Sequence, residues 1–468
     1  MNLYTLPQFL LGRTAVEPAP TPVYRLTLSV AGRAQARAWL WLGMLALIGS
    51  GLFSVLLVLA RTPGGNRMLP GVVFFRTALV VHVDLSVLVW FVAVAGLLWS
   101  IHAGRRANAL GWLSLSGAAA GTLAMVLAPF VAPGTPVMAN YVPVLESPLF
   151  LGGLAVFAAA GAVLVLRSLL VVPALSRALD GATALRMGLY GAALSAAIAL
   201  VAFGWSLASV PRTLDSRTYW EILFWGGGHA LQYTWTLLLL CAWLWLTQAC
   251  GARVPLSARL TLFLFALAFA PVLITLYAYF AHDVLSPAHR QLHTIGMRVG
   301  GGMAIFPVAL AVGLALFERG RVSARQRPLR AALCASIALF AAGGIIAFGI
   351  HGSNVKIPAH YHGCIVGVTL ALMGLVYHLL PQLGYRAPQG ALAVSQPWLY
   401  GLGQLLHIVG LVWSGGYGVQ RKVAGAEQVL RSPGEIFGMG LMGLGGLIAI
   451  VGGLLFVVVV WRALRRSG

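Results

Sequence analysis

Long apolar runs are the feature that most limits what this chain can fold into. Its 468 residues are 60% hydrophobic and only 9% charged, and a helix needs about 20 consecutive apolar residues to cross the hydrocarbon core of a bilayer. The pattern predicts an all-α integral membrane protein built as a bundle of twelve transmembrane helices. The predicted spans have the approximate ranges 38–60, 71–101, 109–132, 147–171, 186–211, 218–248, 258–282, 292–317, 330–352, 358–383, 394–415 and 434–461.

The charge distribution predicts the orientation of the bundle. The net charge is +21 because only 10 residues are Asp or Glu, and most basic residues lie in the two termini and in the loops after the even-numbered spans. By the positive-inside rule, both termini face the cytoplasm of a bacterial-type inner membrane. We therefore expect contact with lipid and none with nucleic acid. Because no linker divides the chain, we expect a cytoplasmic N-terminal segment, 1–37, and one membrane domain, 38–468.

Five histidines fall at one depth of the predicted bundle. They lie near the outer ends of spans 2, 6, 7 and 10: His82, His229, His282, His360 and His362. Ionisable groups inside a membrane are functional candidates, and neutral imidazole is the commonest metal ligand. One histidine near a helix end is as easily a structural residue, but five in one layer indicate metal binding. The four cysteines form no CxxC pair, so thiolate ligation is not indicated.

The spacing of the two histidines in PAHYHGCIV predicts two separate metals. An α-helix turns about 100° per residue, so His360 and His362 point to nearly opposite faces of their helix. Each imidazole can therefore reach a different metal, and haem iron is the natural example within a bilayer. His229 and Tyr233 are four residues apart and share a face. This phenol is either a proton or electron source beside a metal-bound imidazole or an ordinary interfacial tyrosine.

Four segments resemble a known family, the haem-copper oxidase superfamily, whose catalytic subunit has a twelve-helix core. PAHYHGCIVGVTLALMGLVYHLLPQLG resembles its tenth helix, FWGGGHALQYTW its sixth and RTALVVHVDLSVLVW its second. WSGGYGVQRKV resembles the stretch after its eleventh helix, where a basic pair meets haem propionates. The resemblance extends over nearly the whole chain after about residue 38.

The resemblance implies two haems, which we expect to be b-type, and one non-haem metal, either iron or copper. His82 and His362 would ligate a low-spin haem from its two faces, and His360 would be the proximal ligand of a high-spin haem. Arg421 and Lys422 would pair with haem propionates; without the family they are equally well ordinary loop charges.

The implied non-haem metal site departs from the family pattern. His229 and His282 would bind this metal, with Tyr233 beside it. Oxygen-reducing members have two adjacent histidines at the end of helix seven, whereas this chain reads FAHDVLSP. Either Asp283 replaces the second histidine or Ala281 replaces the first, and we favour Asp283 as the third ligand. Two imidazoles and a carboxylate suit non-haem iron better than copper. The alternative is that Asp283 is a loop residue outside the membrane.

These features predict a respiratory oxidoreductase that reduces a small gas at a haem/non-haem metal centre. We place reduction of nitric oxide to nitrous oxide first and reduction of oxygen to water as the alternative. The inner parts of spans 6 and 8 are poor in polar residues, which favours protons taken from outside. An electron-donor subunit or carrier, either cytochrome c or a cupredoxin, is implied.

Two other classes fit the sequence less well. A secondary transporter is disfavoured because the chain shows no inverted repeat, and a haem-binding sensor without turnover would need no second metal. The remaining histidines are interpreted as structural or loop residues, with His293 and His351 as the next candidates for a role: His102, His289, His293, His351, His378 and His407.

Overall fold

The computed structural model describes residues 23–65, 72–101, 107–171, 179–317 and 322–465. Most of the predicted N-terminal segment, residues 1–22, lies outside the described residues, as does His102. Twelve long helical passages follow one another along the described chain. They are α1 (Arg33–Arg61), α2 (Val72–Val83, Asp84–Val89 and Trp90–Trp99), α3 (Asn108–Val131), α4 (Pro148–Leu170), α5 (Gly181–Ser209), α6 (Ser216–Ala249), α7 (Ala258–Phe269 and Val272–Ala281), α8 (Pro287–Met303 and Ile305–Phe317), α9 (Gln326–Phe348), α10 (Lys356–Leu379), α11 (Ala391–Gly416) and α12 (Pro433–Leu464).

The predicted helical membrane bundle is confirmed. Within the described ranges, eleven of these helices are long and apolar enough to cross a membrane. The other is α11, a 26-residue helix whose mean hydropathy is lowered by Gln396, Gln404 and His407. It corresponds to the predicted span 394–415.

One end of the bundle carries a small antiparallel hairpin between α3 and α4. Its strands are β1 (Thr135–Val137) and β2 (Val144–Glu146). We call this the hairpin end. The loop between α11 and α12 also lies here and contains the short 3-10 helix Gly425–Glu427. The hairpin end is the side that the charge distribution predicts to face outwards.

Two helices occupy the centre of the bundle. In α6 and α10, 78% of the most apolar 18-residue stretch is buried, whereas no other candidate span of the described chain exceeds 61%. A helix that is apolar on all sides needs protein or lipid on all sides, and here protein surrounds it. These two central helices carry four of the predicted site residues, His229, Tyr233, His360 and His362.

Local irregularities mark three of the helices. The middle of α2 is a π-helical segment, Asp84–Val89, which begins two residues after His82. Pro271 separates the two parts of α7, because proline cannot donate a backbone hydrogen bond within a helix. Ala304 interrupts α8 three residues before Pro307. π-helical turns often occur at functional sites, and this one lies beside a predicted metal ligand.

Candidate functional site

The two histidines at the start of α10 point to different neighbours. Nδ1 of His360 lies 2.8 Å from the carbonyl oxygen of Gly343 on α9, and Nδ1 of His362 lies 2.8 Å from the carbonyl oxygen of Pro358. Because a carbonyl oxygen can only accept, each Nδ1 carries the proton and each Nε2 keeps a lone pair. Metal-binding histidines typically hold their other ring nitrogen in this way.

Glycines bring the Gly343 carbonyl within reach of His360. A Cβ built at Gly343 would lie 2.5 Å from the backbone nitrogen of Cys364, and one built at Gly363 would overlap Gly343 itself. The backbones of α9 and α10 therefore touch here. This contact fixes the acceptor that orients the His360 ring.

The second face of α10 meets α2 and α11. The ring of His362 lies 4.8 Å from the ring of His407, centroid to centroid, and both interact electrostatically with His82. Nδ1 of His82 lies 3.0 Å from both the hydroxyl and the carbonyl oxygen of Ser50 on α1. Three imidazoles from three helices thus gather in one region. Sequence reasoning predicted two of them and set His407 aside.

Two of these histidines, His82 and His362, fit the low-spin haem that the resemblance implies. The side chains of His82 and His362 are both partly buried in the bundle. They come from opposing helices, and neither Nδ1 is free, so Nε2 is the nitrogen that each can offer to iron. The guanidinium of Arg61 interacts electrostatically with His362 and is a further cation in this region.

His229 on α6 has a tyrosine partner that the sequence did not indicate. Its Nδ1 lies 2.7 Å from the carbonyl oxygen of Trp225, so Nδ1 is the protonated nitrogen. The hydroxyl of Tyr141, from the loop between β1 and β2, lies 2.9 Å from Nδ1 and 3.0 Å from Nε2, so it contacts both ring nitrogens. Gly228 makes this approach possible, because a Cβ there would overlap the Tyr141 ring. No spacing rule marks a loop tyrosine as a partner of a helical histidine.

Tyr233 lies one turn below His229 on α6, as the spacing predicts. It is 3% exposed, and its hydroxyl has no hydrogen-bond partner among the described residues. This oxygen faces Gly300 of α8, where a Cβ would lie 3.5 Å from it. A buried hydroxyl without a partner is costly, which makes Tyr233 a candidate for contact with a bound group.

His282 and Asp283 lie at the surface end of α7. His282 is half-buried, with its ring 6.0 Å from that of Tyr277, and the exposed Asp283 sits in the turn that follows. Oδ1 of Asp283 accepts the backbone N–H of Leu285 at 2.7 Å, and its carbonyl accepts from Ser286. Asp283 thus stabilises the turn into α8. Within the part of the chain that the structure describes, the rings closest to His229 are those of Tyr141, Trp225 and His293.

Two other histidines, both on α8, lie near His229. The rings of His289 and His293 are 4.7 Å apart, and the ring of His293 is 5.4 Å from that of His229. The sequence HRQLH places them four residues apart on one helical face, a spacing that binds metals in other proteins. That spacing is the signal that was available in the sequence.

Arg421 and Lys422 lie in the loop at the hairpin end, as predicted. Nζ of Lys422 donates to the carbonyl oxygen of Met138 and, at 3.2 Å, to Oδ1 of Asn140. A guanidinium nitrogen of Arg421 lies 3.4 Å from the same oxygen. Burial lowers the pKa of Lys422 to about 8, with a smaller contribution from the positive charge of Arg421. Lys422 adopts a left-handed backbone conformation, with φ 61°.

A polar chain runs from this loop to His229. The carboxylate of Glu221, near the start of α6, accepts the backbone N–H of Asn140 at 3.1 Å and also its side-chain amide. Asn140 is followed by Tyr141, whose hydroxyl lies within hydrogen-bond distance of both ring nitrogens of His229. Burial raises the pKa of Tyr141 well above its ordinary value, so this phenol stays protonated near neutral pH. The chain links the hairpin end to the predicted metal ligand.

Comparison with known families and structures gives a consistent result. Residues 35–455 match the family model described as cytochrome c and quinol oxidase polypeptide I. The fold is similar to that of a haem-copper terminal oxidase dimer solved by cryo-EM, with a TM-score of 0.69 at 17% identity over 94% of this chain and 85% of that one.

Three relatives share sequence with half of the chain or more. An uncharacterised protein of Rickettsia prowazekii is 29% identical over 91% of this chain and 94% of its own length. An uncharacterised protein of Aquifex aeolicus is 27% identical over 75% of this chain and 86% of its own. Cytochrome c oxidase subunit 1 of Thermus thermophilus is 28% identical over 57% of this chain and 51% of its own.

Proposed function

The chain belongs to the cytochrome c and quinol oxidase polypeptide I family, and from that premise we propose that it reduces nitric oxide to nitrous oxide in a bacterial inner membrane. Membership makes it a multi-pass membrane oxidoreductase of the haem-copper superfamily, with haems and a metal centre. The electron donor, the haem type and the identity of the reduced gas are proposals that go beyond family membership. For the donor we propose a cytochrome c or cupredoxin that docks at the hairpin end.

Each haem has a proposed set of residues. His82 and His362 would hold a low-spin haem from two sides, and His360, on the other face of α10, would hold a high-spin haem. Arg421 and Lys422 lie at the hairpin end, where they would meet propionates. When bound, the two haems and the second metal supply the redox chemistry, accepting electrons and binding the gas. α10 would then separate the two haems, so that an electron crosses a single helix between them.

The distribution of polar residues around α6 and α8 is the observation that supports nitric oxide. From Leu237 to Leu246, every side chain of α6 is apolar or a cysteine and at most 1% exposed. The second half of α8, Ile305–Phe317, contains no polar residue. The polar chain through Glu221, Asn140 and Tyr141 reaches His229 from the hairpin end instead. An enzyme that takes protons only from the hairpin end would consume protons from outside the membrane. This suits a reaction that consumes few protons.

In this proton route, Glu221, Asn140 and Tyr141 would each have a separate role. Glu221 would collect a proton near the surface, and Asn140 would position the loop. Tyr141 would hold a proton at its hydroxyl, within hydrogen-bond distance of the centre, ready for the reacting gas. The apolar half of α6 would exclude water on the side away from the hairpin end. Two molecules of nitric oxide, two electrons and two protons give one nitrous oxide and one water.

Oxygen reduction is the second candidate, and the pair His229 and Tyr233 favours it. Both lie on one face of α6, and the Tyr233 hydroxyl is buried without a partner in the described part of the chain. Such a phenol can supply the additional proton and electron that cleavage of dioxygen requires.

Gas consumption by the purified protein in liposomes separates the two candidates. We expect nitrous oxide formation from nitric oxide with an artificial donor, and proton uptake from the compartment that the hairpin end faces. Consumption of oxygen without nitric oxide turnover, with uptake from the opposite compartment, would contradict the proposal and favour oxygen reduction.

A further inference from the structure

Three histidines from two helices form a cluster close to α6. His289 and His293 are one helical turn apart on α8, and His229 faces them from α6. His289 is 0% exposed, His293 3% and His229 5%. Close packing of α8 against α7 fixes the position of this pair, since a Cβ at Gly300 would overlap Pro271 and one at Gly296 would lie 3.0 Å from Ile274. The cluster is therefore held by packing and is not a surface coincidence.

The nitrogens of the α8 pair are free to bind. Nδ1 of His293 donates to the carbonyl oxygen of His289 at 2.8 Å, so its Nε2 has a lone pair, and this Nε2 is buried without a partner among the described residues. Both ring nitrogens of His289 are buried and lack hydrogen bonds within the same residues. Buried polar nitrogens left unpaired cost about 1–3 kcal/mol each. The unpaired ring nitrogens of His289 and His293 therefore indicate that a bound group satisfies them.

The ring spacing fits a shared metal ion. Imidazole nitrogens bind first-row metals at about 2 Å, which places the centroids of two rings on one ion about 5 Å apart. The observed centroid distances are 4.7 Å and 5.4 Å. The rings do not already converge, since no three His, Cys, Asp or Glu side chains of the described chain form a closed ligand set. The Tyr141 hydroxyl lies 3.0 Å from Nε2 of His229 and would turn aside for the ion.

We propose that the non-haem metal of this protein is bound by His229, His289 and His293, and not by His282 and Asp283. The proposal rests on the proposed function only in placing this ion beside the high-spin haem. Asp283 lies in the turn beyond α7 and already accepts the N–H of Leu285, so it is poorly placed as an inward ligand. Three neutral imidazoles suit a first-row transition ion, either copper or iron. The Tyr141 hydroxyl, once turned aside, lies next to the ion as a proton donor.

Metal analysis of matched variants tests the assignment. The full-length protein is purified from membranes, and its iron, copper and haem contents are measured together with its haem spectrum. The test variants are H289A, H293A and the double variant H289N/H293N, which retains polar side chains if the alanines fail to fold. The control is H282A/D283A, which removes the ligands predicted from the sequence. Retention of haem by each variant shows that it has folded.

We expect one non-haem metal per chain in the wild-type protein and in H282A/D283A. In H289A and H293A we expect the content of non-haem metal to fall below about one-tenth of the wild-type content, with both haems retained. Full metal content in H289N/H293N, or loss in H282A/D283A, would overturn the assignment. Haem without any second metal in the wild-type protein would also overturn it while leaving haem binding intact. A protein without haem would instead contradict the proposed function.

Discussion

The hydroxyl of Tyr141 lies 2.9 Å from Nδ1 and 3.0 Å from Nε2 of His229, and Nδ1 of the same ring donates to the Trp225 carbonyl. A loop at the hairpin end thus reaches a buried histidine of the central helix. Through Asn140, the same loop is tied to the carboxylate of Glu221. The contact joins the surface of the protein to its proposed reaction centre.

Replacing Tyr141 with phenylalanine removes only the hydroxyl. We expect gas turnover to fall about 100-fold, as when a general acid is lost, while the haem spectrum and metal content stay unchanged. Stopped-flow or amperometric assays measure the turnover. The matched control is Tyr277→Phe, a tyrosine 58% exposed near the end of α7. Equal rates in the two variants would show that Tyr141 has no part in proton transfer.

The two histidines of α10 should affect different haems. In His362→Ala we expect loss of the low-spin haem signal, and in His360→Ala loss of the high-spin signal, with the other haem largely retained in each. The reason is that the two rings face α11 and α9, respectively. Electron paramagnetic resonance of the oxidised variants distinguishes the two spin states. Loss of the same signal in both variants would contradict the assignment.

The low-spin haem potential should depend on the charge of Lys422. Its pKa, lowered by burial to about 8, means that the ammonium loses its proton as the pH rises through this value. A positive charge favours the reduced haem, so the midpoint potential should fall as the pH rises from 7 to about 10. A nearby propionate would raise this pKa and move the inflection above 8.

Redox titrations of two variants check this dependence. Lys422→Met should have a lower potential that is independent of pH in this window, whereas Lys422→Arg should keep a high potential throughout, because arginine stays protonated. Identical pH dependence in the wild-type protein and Lys422→Met would show that Lys422 is not close to the haem.

A single methyl group at the contact of α9 and α10 should disturb the high-spin haem. Gly343→Ala forces these helices apart, because the added Cβ would lie 2.5 Å from the backbone of Cys364. We expect about 1–3 kcal/mol of destabilisation and a shifted high-spin haem spectrum, since the Gly343 carbonyl orients His360. The control is Gly344→Ala, whose Cβ would meet nothing within 4 Å. Thermal unfolding and optical spectra measure both, and equal behaviour would refute the proposed coupling.

Much of the architecture was predictable from hydropathy and helical geometry. The apolar runs indicated the order and number of the helices, because backbone polar groups within a bilayer must be satisfied inside a helix. The spacing of His360 and His362 predicted their opposite neighbours, since rotation per residue is fixed. The break of α7 at Pro271 follows from the missing N–H of proline.

The proposed second metal site was less predictable because it depends on where helices end and on how they pack. His282 and Asp283 have the right depth in the sequence but lie at the surface end of α7. His289 and His293 lie at almost the same depth and face α6 instead. α7 ends at Ala281, so His282 and Asp283 follow it in extended and turn backbone, whereas His289 and His293 lie within α8. Apolar periodicity does not mark the exact residue at which a helix ends. Tyr141 could not be found for a similar reason, since a loop contact has no period.

Haem analysis of the purified wild-type protein tests whether α10 separates a low-spin from a high-spin haem. Pyridine haemochrome quantification combined with electron paramagnetic resonance gives the number of haems per chain and their spin states. We predict two haems per chain, one six-coordinate and low-spin and the other high-spin. A single haem per chain, two low-spin haems or no haem would contradict the account.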